Sequence, residues 1–147
     1  MPRDSFTHTA IANVSRTTVW DTLDHPETWE QIGGVDRVTE AILEDDGCLR
    51  GFTFESKAGG MAYTGQATPH NREELSTIGW SIETSELRGI TRVELDDAGG
   101  NTQITVTLEV ESVGMLASLF FPVIAAAIGN GLPEAVEQFA DTFNQTG

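Results

Sequence analysis

The hydrophobic positions of this chain change period three times. Residues Phe6 to Val14 alternate, with Thr7, Thr9, Ile11 and Asn13 on one face and Phe6, His8, Ala10, Ala12 and Val14 on the other. That is the period of a strand, and it leaves open which face is inside. Helical spacing follows. Ser15 is a candidate N-cap before the stripe Val19, Trp20 and Leu23, because its hydroxyl can accept from an orphan backbone N–H. His25-Pro26-Glu27 opens a second helix, with proline at the first helical position and an acid in the first turn. Trp29 and Ile32 form its apolar side, and Gly33-Gly34 supplies the left-handed stop.

Six strand-like runs come next, each bounded by turn chemistry. Val35 to Glu44 pairs Val38 with Ile42 and ends at Asp45-Asp46-Gly47. Cys48 to Lys57 sets Phe52 beside Phe54 and turns at Gly59-Gly60. Met61 to Thr68 carries Met61, Tyr63, Gly65 and Ala67 on one face, and Pro69 is expected to stop it. Leu75 to Glu83 alternates Ile78, Trp80 and Ile82 with polar residues. Leu87 to Leu95 carries Leu87, Gly89, Thr91, Val93 and Leu95 on one side, ahead of the turn DDAGGN. Thr102 to Glu111 alternates most regularly, with Ile104, Val106, Leu108 and Val110 inward. One wet face and short turns predict an antiparallel meander.

The tail returns to helix. Val113 to Ile128 is apolar on every side, Pro122 is expected to kink or restart it, and Gly129-Asn130-Gly131 to interrupt it. Pro133-Glu134 then restarts a helix with the stripe Leu132, Val136, Phe139, Ala140 and Phe143. The apolar run has 16 residues and contains a proline, whereas a membrane span needs about 20. A buried helix is the main reading, and an apolar flap hinged at Gly129 and Gly131 is the lesser one.

Composition narrows the partners. At 147 residues the chain suits a single domain, 1–147, with one core. A formal charge of −15, from 23 acidic and 8 basic residues, repels phosphate and argues against nucleic acid or anionic lipid as a partner. Solubility alone accounts for such acidity, as does adaptation to salt. One cysteine, Cys48, excludes an internal disulfide framework. The opening MPRDSFTHTA lacks the apolar stretch of a secretory signal, so a cytoplasmic location is expected.

Candidate chemistry is sparse. His8, His25, Cys48 and His70 show no metal-ligand spacing, and neither metal nor cofactor is expected. His25 and His70 read as solvated loop residues, while His8 lies on a strand and faces either a pocket or solvent. No G-x-S-x-G elbow or phosphate-binding glycine loop is present. Glu55 and Glu109 sit mid-strand, where a buried carboxylate would titrate high and serve as a base. Strand alternation places them outside, with Arg50 and Arg92.

The segment IANVSRTTVWDTLDHPETWEQIGGVDRVTE resembles the N-terminal pattern of the START-like superfamily, also called SRPBCC, through Val19-Trp20, Pro26, Trp29, Gly34-Val35 and Val38. Trp80, then Gly89 with Thr91, Val93 and Leu95, then NTQITVTLEVE, resemble the same superfamily's second half. It contains polyketide cyclase/dehydrase and lipid-transport families and the birch-pollen allergen. The resemblance implies an α+β helix-grip fold: a seven-stranded antiparallel sheet curved around a long C-terminal helix, two short helices after strand 1, and a hydrophobic cavity between sheet and helix. The breaks at Pro122, Gly129 and Pro133 depart from a single long helix.

The function implied is binding or transport of a small hydrophobic ligand, lipid- or polyketide-like. The expected ligand contacts are Phe52, Phe54, Tyr63, Trp80, Thr91, Leu119, Val123 and Ala127, and no catalytic residue is assigned. The aromatic members are equally readable as core. An enzyme of the cyclase or dehydratase type is the alternative, and it would draw on Tyr63, Thr91 and His8 to assist enolisation. The two readings part on whether polar side chains converge in the cavity. An interaction module built on the apolar tail is the third reading, and the sequence leaves the oligomeric state open.

Overall fold

The computed structural model describes residues 3–33, 35–58 and 60–144. Gly34 and Gly59, each in an expected turn, lie outside the described residues. Strand β1 (Arg3–Ala12) leads into helices α1 (Arg16–Thr22) and α2 (Pro26–Ile32). Six strands follow: β2 (Arg37–Leu43), β3 (Leu49–Ala58), β4 (Met61–Glu73), β5 (Thr77–Thr84), β6 (Leu87–Ala98) and β7 (Asn101–Ser112). Helices α3 (Met115–Leu119) and α4 (Phe121–Asn144) end the chain.

The strands form one antiparallel sheet in the order β1-β7-β6-β5-β4-β3-β2, so β1 and β2 are its edges. Helix α4 lies on its inner face against β1, β7 and β3, with α2 packed beside it. This is the helix-grip arrangement that the resemblance implies.

Inner positions follow the alternation of the strands. Ile104, Val106, Leu108 and Val110 of β7 are buried, as are Val93 and Leu95 of β6 and Phe52 and Phe54 of β3. On β1 the inner face is the one carrying Phe6, His8, Ala10 and Ala12; Ala10 and Ala12 are buried and Phe6 packs against them. Trp29 and Trp80 meet edge to face in the centre, and Phe52 meets Trp80 in the same way.

Several expectations need correction. Strand β4 does not stop at Pro69: it runs to Glu73, and the pairing register with β5 shifts between Pro69 and Asn71. A bulge tolerates proline's missing donor. Leu75 belongs to the following turn, at φ 64°, rather than to a strand. In β2 the register shifts on both sides of the strand's centre, so Ala41 turns toward the core while Ile42 is exposed. Gly33 caps α2 in right-handed geometry, and a Cβ there would lie 2.6 Å from the Trp29 carbonyl oxygen. Ser15 occupies the N-cap position of α1, but its hydroxyl makes no cap hydrogen bond.

The largest correction concerns the tail. Pro122 does sit at a restart, in the first turn of α4, but the helix then runs unbroken through Gly129, Gly131 and Pro133. Proline and glycine in a helix interior cost about 3 and about 1 kcal/mol. Burial of Leu132, Val136, Phe139 and Ala140 against the sheet offsets that cost, since tertiary packing supplies most of a helix's stability. Gly129 has a packing role, because a Cβ there would overlap the Phe6 ring.

Candidate ligand cavity

A cavity of about 70 Å³ lies between the inner face of the sheet and α4. Its walls are supplied by Phe54 of β3, Tyr63 of β4, Ile82 of β5, Leu87 and Thr91 of β6, and Val110 of β7. Ile128 of α4 and Val35 of the α2–β2 connection cover it. Alternation puts these side chains together: in each strand they lie two residues, or a multiple of two, from another core residue.

Arg88 and Glu109 border the space but are paired, with Glu111 and Arg92; the other polar side chains in the wall carry hydroxyls. Thr91 Oγ1 donates to the Gly33 carbonyl at 3.0 Å, tying the sheet to the end of α2. Thr84 Oγ1 donates to the Leu87 carbonyl at 3.1 Å and accepts from the Leu87 N–H at 2.9 Å, shaping the β5–β6 turn. Ser56 and Tyr63 stand opposite each other in the β3–β4 ladder, and both line the cavity. Burial, followed by the nearby charge of Glu86, pushes the Tyr63 phenol up from its ordinary pKa. It is therefore a neutral hydroxyl at physiological pH, able to donate a hydrogen bond.

Glu86 also closes this end of the molecule. Its carbonyl accepts from the N–H groups of Val113 (2.8 Å) and Gly114 (3.1 Å), and its carboxylate accepts from the Ala117 N–H at 3.1 Å. The β5–β6 turn is thus stitched to the start of α3. The carboxylate sits where a Cβ of residue 114 would be, which makes Gly114 a requirement of the stitch. Beneath it, Ala117, Phe121 and Ile124 pack on Tyr63, Leu87 and Val110.

The expected contact residues divide into four groups. Phe54, Tyr63 and Thr91 line the cavity. Phe52 and Trp80 lie in the solid core behind it, where Phe52 contacts both Phe54 and Trp80. Leu119 and Val123 stand on the outer side of the helical corner, 70% and 58% exposed. The break at Phe120 and the packing of Phe121, Ile124 and Ala125 inward turn those two outward. Ala127 lines a separate groove of about 180 Å³ between the α2–β2 connection and α4. Val35, Ser56, Ile82, Leu87, Val110 and Ile128 were not singled out as contacts from sequence. For Ser56 the signal was present, in step with Phe52 and Phe54.

The other candidates are engaged elsewhere. His8 is on the inner face of β1, but its Nε2 lies 3.0 Å from Glu137 Oε1 on α4, a link between strand and helix. His25 caps α2, and His70 lies within β4 rather than in a turn, 3.5 Å from the Ser81 hydroxyl. Glu55 and Glu109 face outward beside Arg37 and Arg92, and Arg50 pairs with Glu44. Burial first, then a hydrogen bond with Asp46, pushes the Cys48 thiol up. Arg72, 3.6 Å from that sulfur, is held in two-point contact by Asp24. Among the described residues no cluster of three or more His, Cys, Asp or Glu side chains is placed to hold a metal, and no helix is long and apolar enough to cross a membrane. A wider depression of about 710 Å³ on the outer face of the sheet is crossed by ion pairs, with Glu111 between Arg3 and Arg88.

No family model matches the sequence, and no curated protein does either. Solved structures do match. The Zhui aromatase/cyclase from Streptomyces sp. R1128 superposes with a TM-score of 0.72 at 12% identity, over 99% of this chain and 98% of that one. A START superfamily protein from Mycobacterium smegmatis gives a TM-score of 0.68 at 14% identity, over 94% and 97% of the two chains. The fold is START-like. Ara h 8.0201 has the same architecture, with a TM-score of 0.57 at 15% identity over 96% of this chain and 99% of that one. Within the START-like fold the cavity described above occupies the space between grip and helix.

Proposed function

We propose that this chain binds a small hydrophobic molecule in the cavity between its sheet and α4, and that it does so in the cytoplasm. The observation that carries the reading is the wall itself: aliphatic and aromatic side chains around an interior space, with Tyr63 and a few hydroxyls as orienting groups. At about 70 Å³ the space is well below the roughly 300 Å³ at which ligand pockets begin. The ligand is therefore small, or the space opens on binding. Native mass spectrometry of freshly purified protein, followed by solvent extraction, tests this. A stoichiometric adduct of small mass is expected. A protein that stays unliganded when offered a panel of apolar molecules would sink the reading.

A second reading is favoured by the convergence of Ser56, Tyr63 and Thr91 on one space. There a polyketide-like chain would be folded for ring closure, with the neutral Tyr63 phenol donating to a substrate carbonyl and favouring its enol. The Zhui protein named above is an aromatase/cyclase. Under this reading Tyr63→Phe keeps binding and loses turnover of a poly-ketone thioester; absence of turnover by the unmodified protein dismisses it. A third reading rests on the exposed apolar corner of Met115, Leu116, Leu119, Phe120 and Val123, which would join two copies of the chain. A monomer by light scattering at high concentration removes it.

A further inference from the structure

We propose that the groove between the α2–β2 connection and α4 is the entrance to the cavity, and that it admits a short single-chain amphiphile whose head group is not an anion. This rests on the cavity reading above and adds a route and a ligand chemistry to it.

The cavity shares wall residues with two outer spaces; the depression on the outer sheet face lies across the hydrogen-bonded backbone of β5, β6 and β7, so the route follows from the walls shared with the groove. Val35, Ser56, Leu108 and Ile128 line both the inner cavity and the outer groove. The partition between the two spaces is thus one layer of side chains. Its two halves differ: Val35 and Leu108 are buried, while Ser56 and Ile128 are only half-buried. Movement of Ile128 joins the spaces without breaking a backbone hydrogen bond of the sheet. The opposite end is closed more firmly, since opening it at α3 breaks the three hydrogen bonds that Glu86 accepts. Outside the partition α4 presents Ala127 and Gly131, and a Cβ at Gly131 would meet nothing within 4 Å.

Size and charge select the occupant. The cavity and the groove, about 70 and about 180 Å³, together approach the lower end of ligand-pocket volumes. Glu30 and Asp36 line the groove, and both are committed as acceptors: Glu30 to the Val38 N–H at 2.8 Å, Asp36 to the Lys57 N–H at 2.6 Å. Lys57 is the single basic residue among the groove's described lining. Two carboxylates against one ammonium, in a chain of net charge −15, disfavour a carboxylate or phosphate head. A neutral hydroxyl or amide head escapes that repulsion and a protonated amine head is attracted, while the tail passes Ile128 into the apolar cavity.

The test is calorimetric titration of octan-1-ol, octylamine and octanoate into the full chain, repeated with Gly131→Leu and Gly131→Ala. A Cβ at 131 meets nothing within 4 Å, so a leucine there has open groove to occupy, and either substitution favours the helix, which separates loss of binding from loss of fold. Octan-1-ol is expected to bind, with octanoate weaker by about tenfold or more at low salt and the gap narrowing as salt screens it. Gly131→Leu is expected to weaken octan-1-ol by about tenfold, the scale on which a filled site loses a buried chain, while Gly131→Ala leaves it within about twofold. Octan-1-ol binding that ignores Gly131→Leu overturns the entrance and leaves the cavity reading intact. Octanoate binding as tightly as the alcohol overturns the head-group inference. Failure of all three molecules to bind overturns the cavity reading and this inference with it.

Discussion

Trp29 and Trp80 offer a matched pair of perturbations. Both are buried, at 0% and 1% exposure, and their rings are in contact, with centroids 5.8 Å apart. They differ in one respect: Trp29 Nε1 donates to the Leu23 carbonyl at 2.9 Å, whereas Trp80 Nε1 is buried without an acceptor among the described residues. Replacing either by phenylalanine removes similar apolar area and leaves a similar void, a shared cost of about 1–3 kcal/mol. Trp29→Phe also loses a hydrogen bond worth about 1 kcal/mol net and takes a partner from the Leu23 carbonyl. Trp80→Phe instead removes an N–H whose unsatisfied burial costs about 1–3 kcal/mol. Trp29→Phe should therefore be the less stable variant by about 2–4 kcal/mol. In thermal terms the gap is roughly 5–15 °C for a chain of this size. Urea titration followed by far-ultraviolet circular dichroism measures it, since fluorescence changes with the tryptophans themselves. Equal losses, or a greater loss at Trp80, would refute the reasoning. They would show that the Trp80 N–H has a partner after all, such as the face of Phe52, whose ring centroid is 5.4 Å away.

Further outcomes are expected at the α4 glycines, at Tyr63 and in salt. Gly131→Ala should stabilise the protein by about 0.5–1 kcal/mol through helix propensity, while Gly129→Leu should destabilise it by about 1–3 kcal/mol because the new side chain drives into Phe6; denaturant midpoints decide both. Tyr63 is the chain's one tyrosine, so phenolate absorbance titrates it cleanly, and Glu86→Gln should let it ionise at lower pH by removing the second cause of its upward shift. Because the folded phenol titrates above the ordinary value of 10.0, the unfolded chain releases its proton first, and stability should fall as pH rises from there toward the folded value; an unchanged midpoint across that window would contradict the burial of the hydroxyl. With a net charge of −15, the melting temperature should rise as sodium chloride goes from about 0.01 to about 0.15 M, the range over which the screening length shrinks from about 30 to about 8 Å; a flat response would show that self-repulsion is negligible.

The order of elements and the inward faces of most strands were legible in the sequence because they are local and periodic. Ile104 to Val110 shows its inner face within seven residues, and Trp29 its helical side within one turn. Tyr63, Phe54 and Thr91 were found as cavity residues by the same alternation, once a sheet around a helix was expected. What the sequence could not show depends on contacts between distant segments. Pro133 and the glycines at 129 and 131 are helix breakers by propensity, yet the sheet face that α4 covers holds the helix straight through them. The bulges at Pro69 and within β2 depend on the partner strand's register, so Val38 and Ile42, on one face by alternation, part company: Val38 packs on the core and Ile42 is exposed. Leu119 and Val123 look no less buried than Ile124 when the chain is read alone; the break at Phe120 turns them outward. The thin partition of Val35, Ser56, Leu108 and Ile128 joins a loop, two strands and a helix that no local pattern connects. Periodicity determined which side chains leave water, and only the packing of the helix on the sheet decided which of them meet around a space and which fill it.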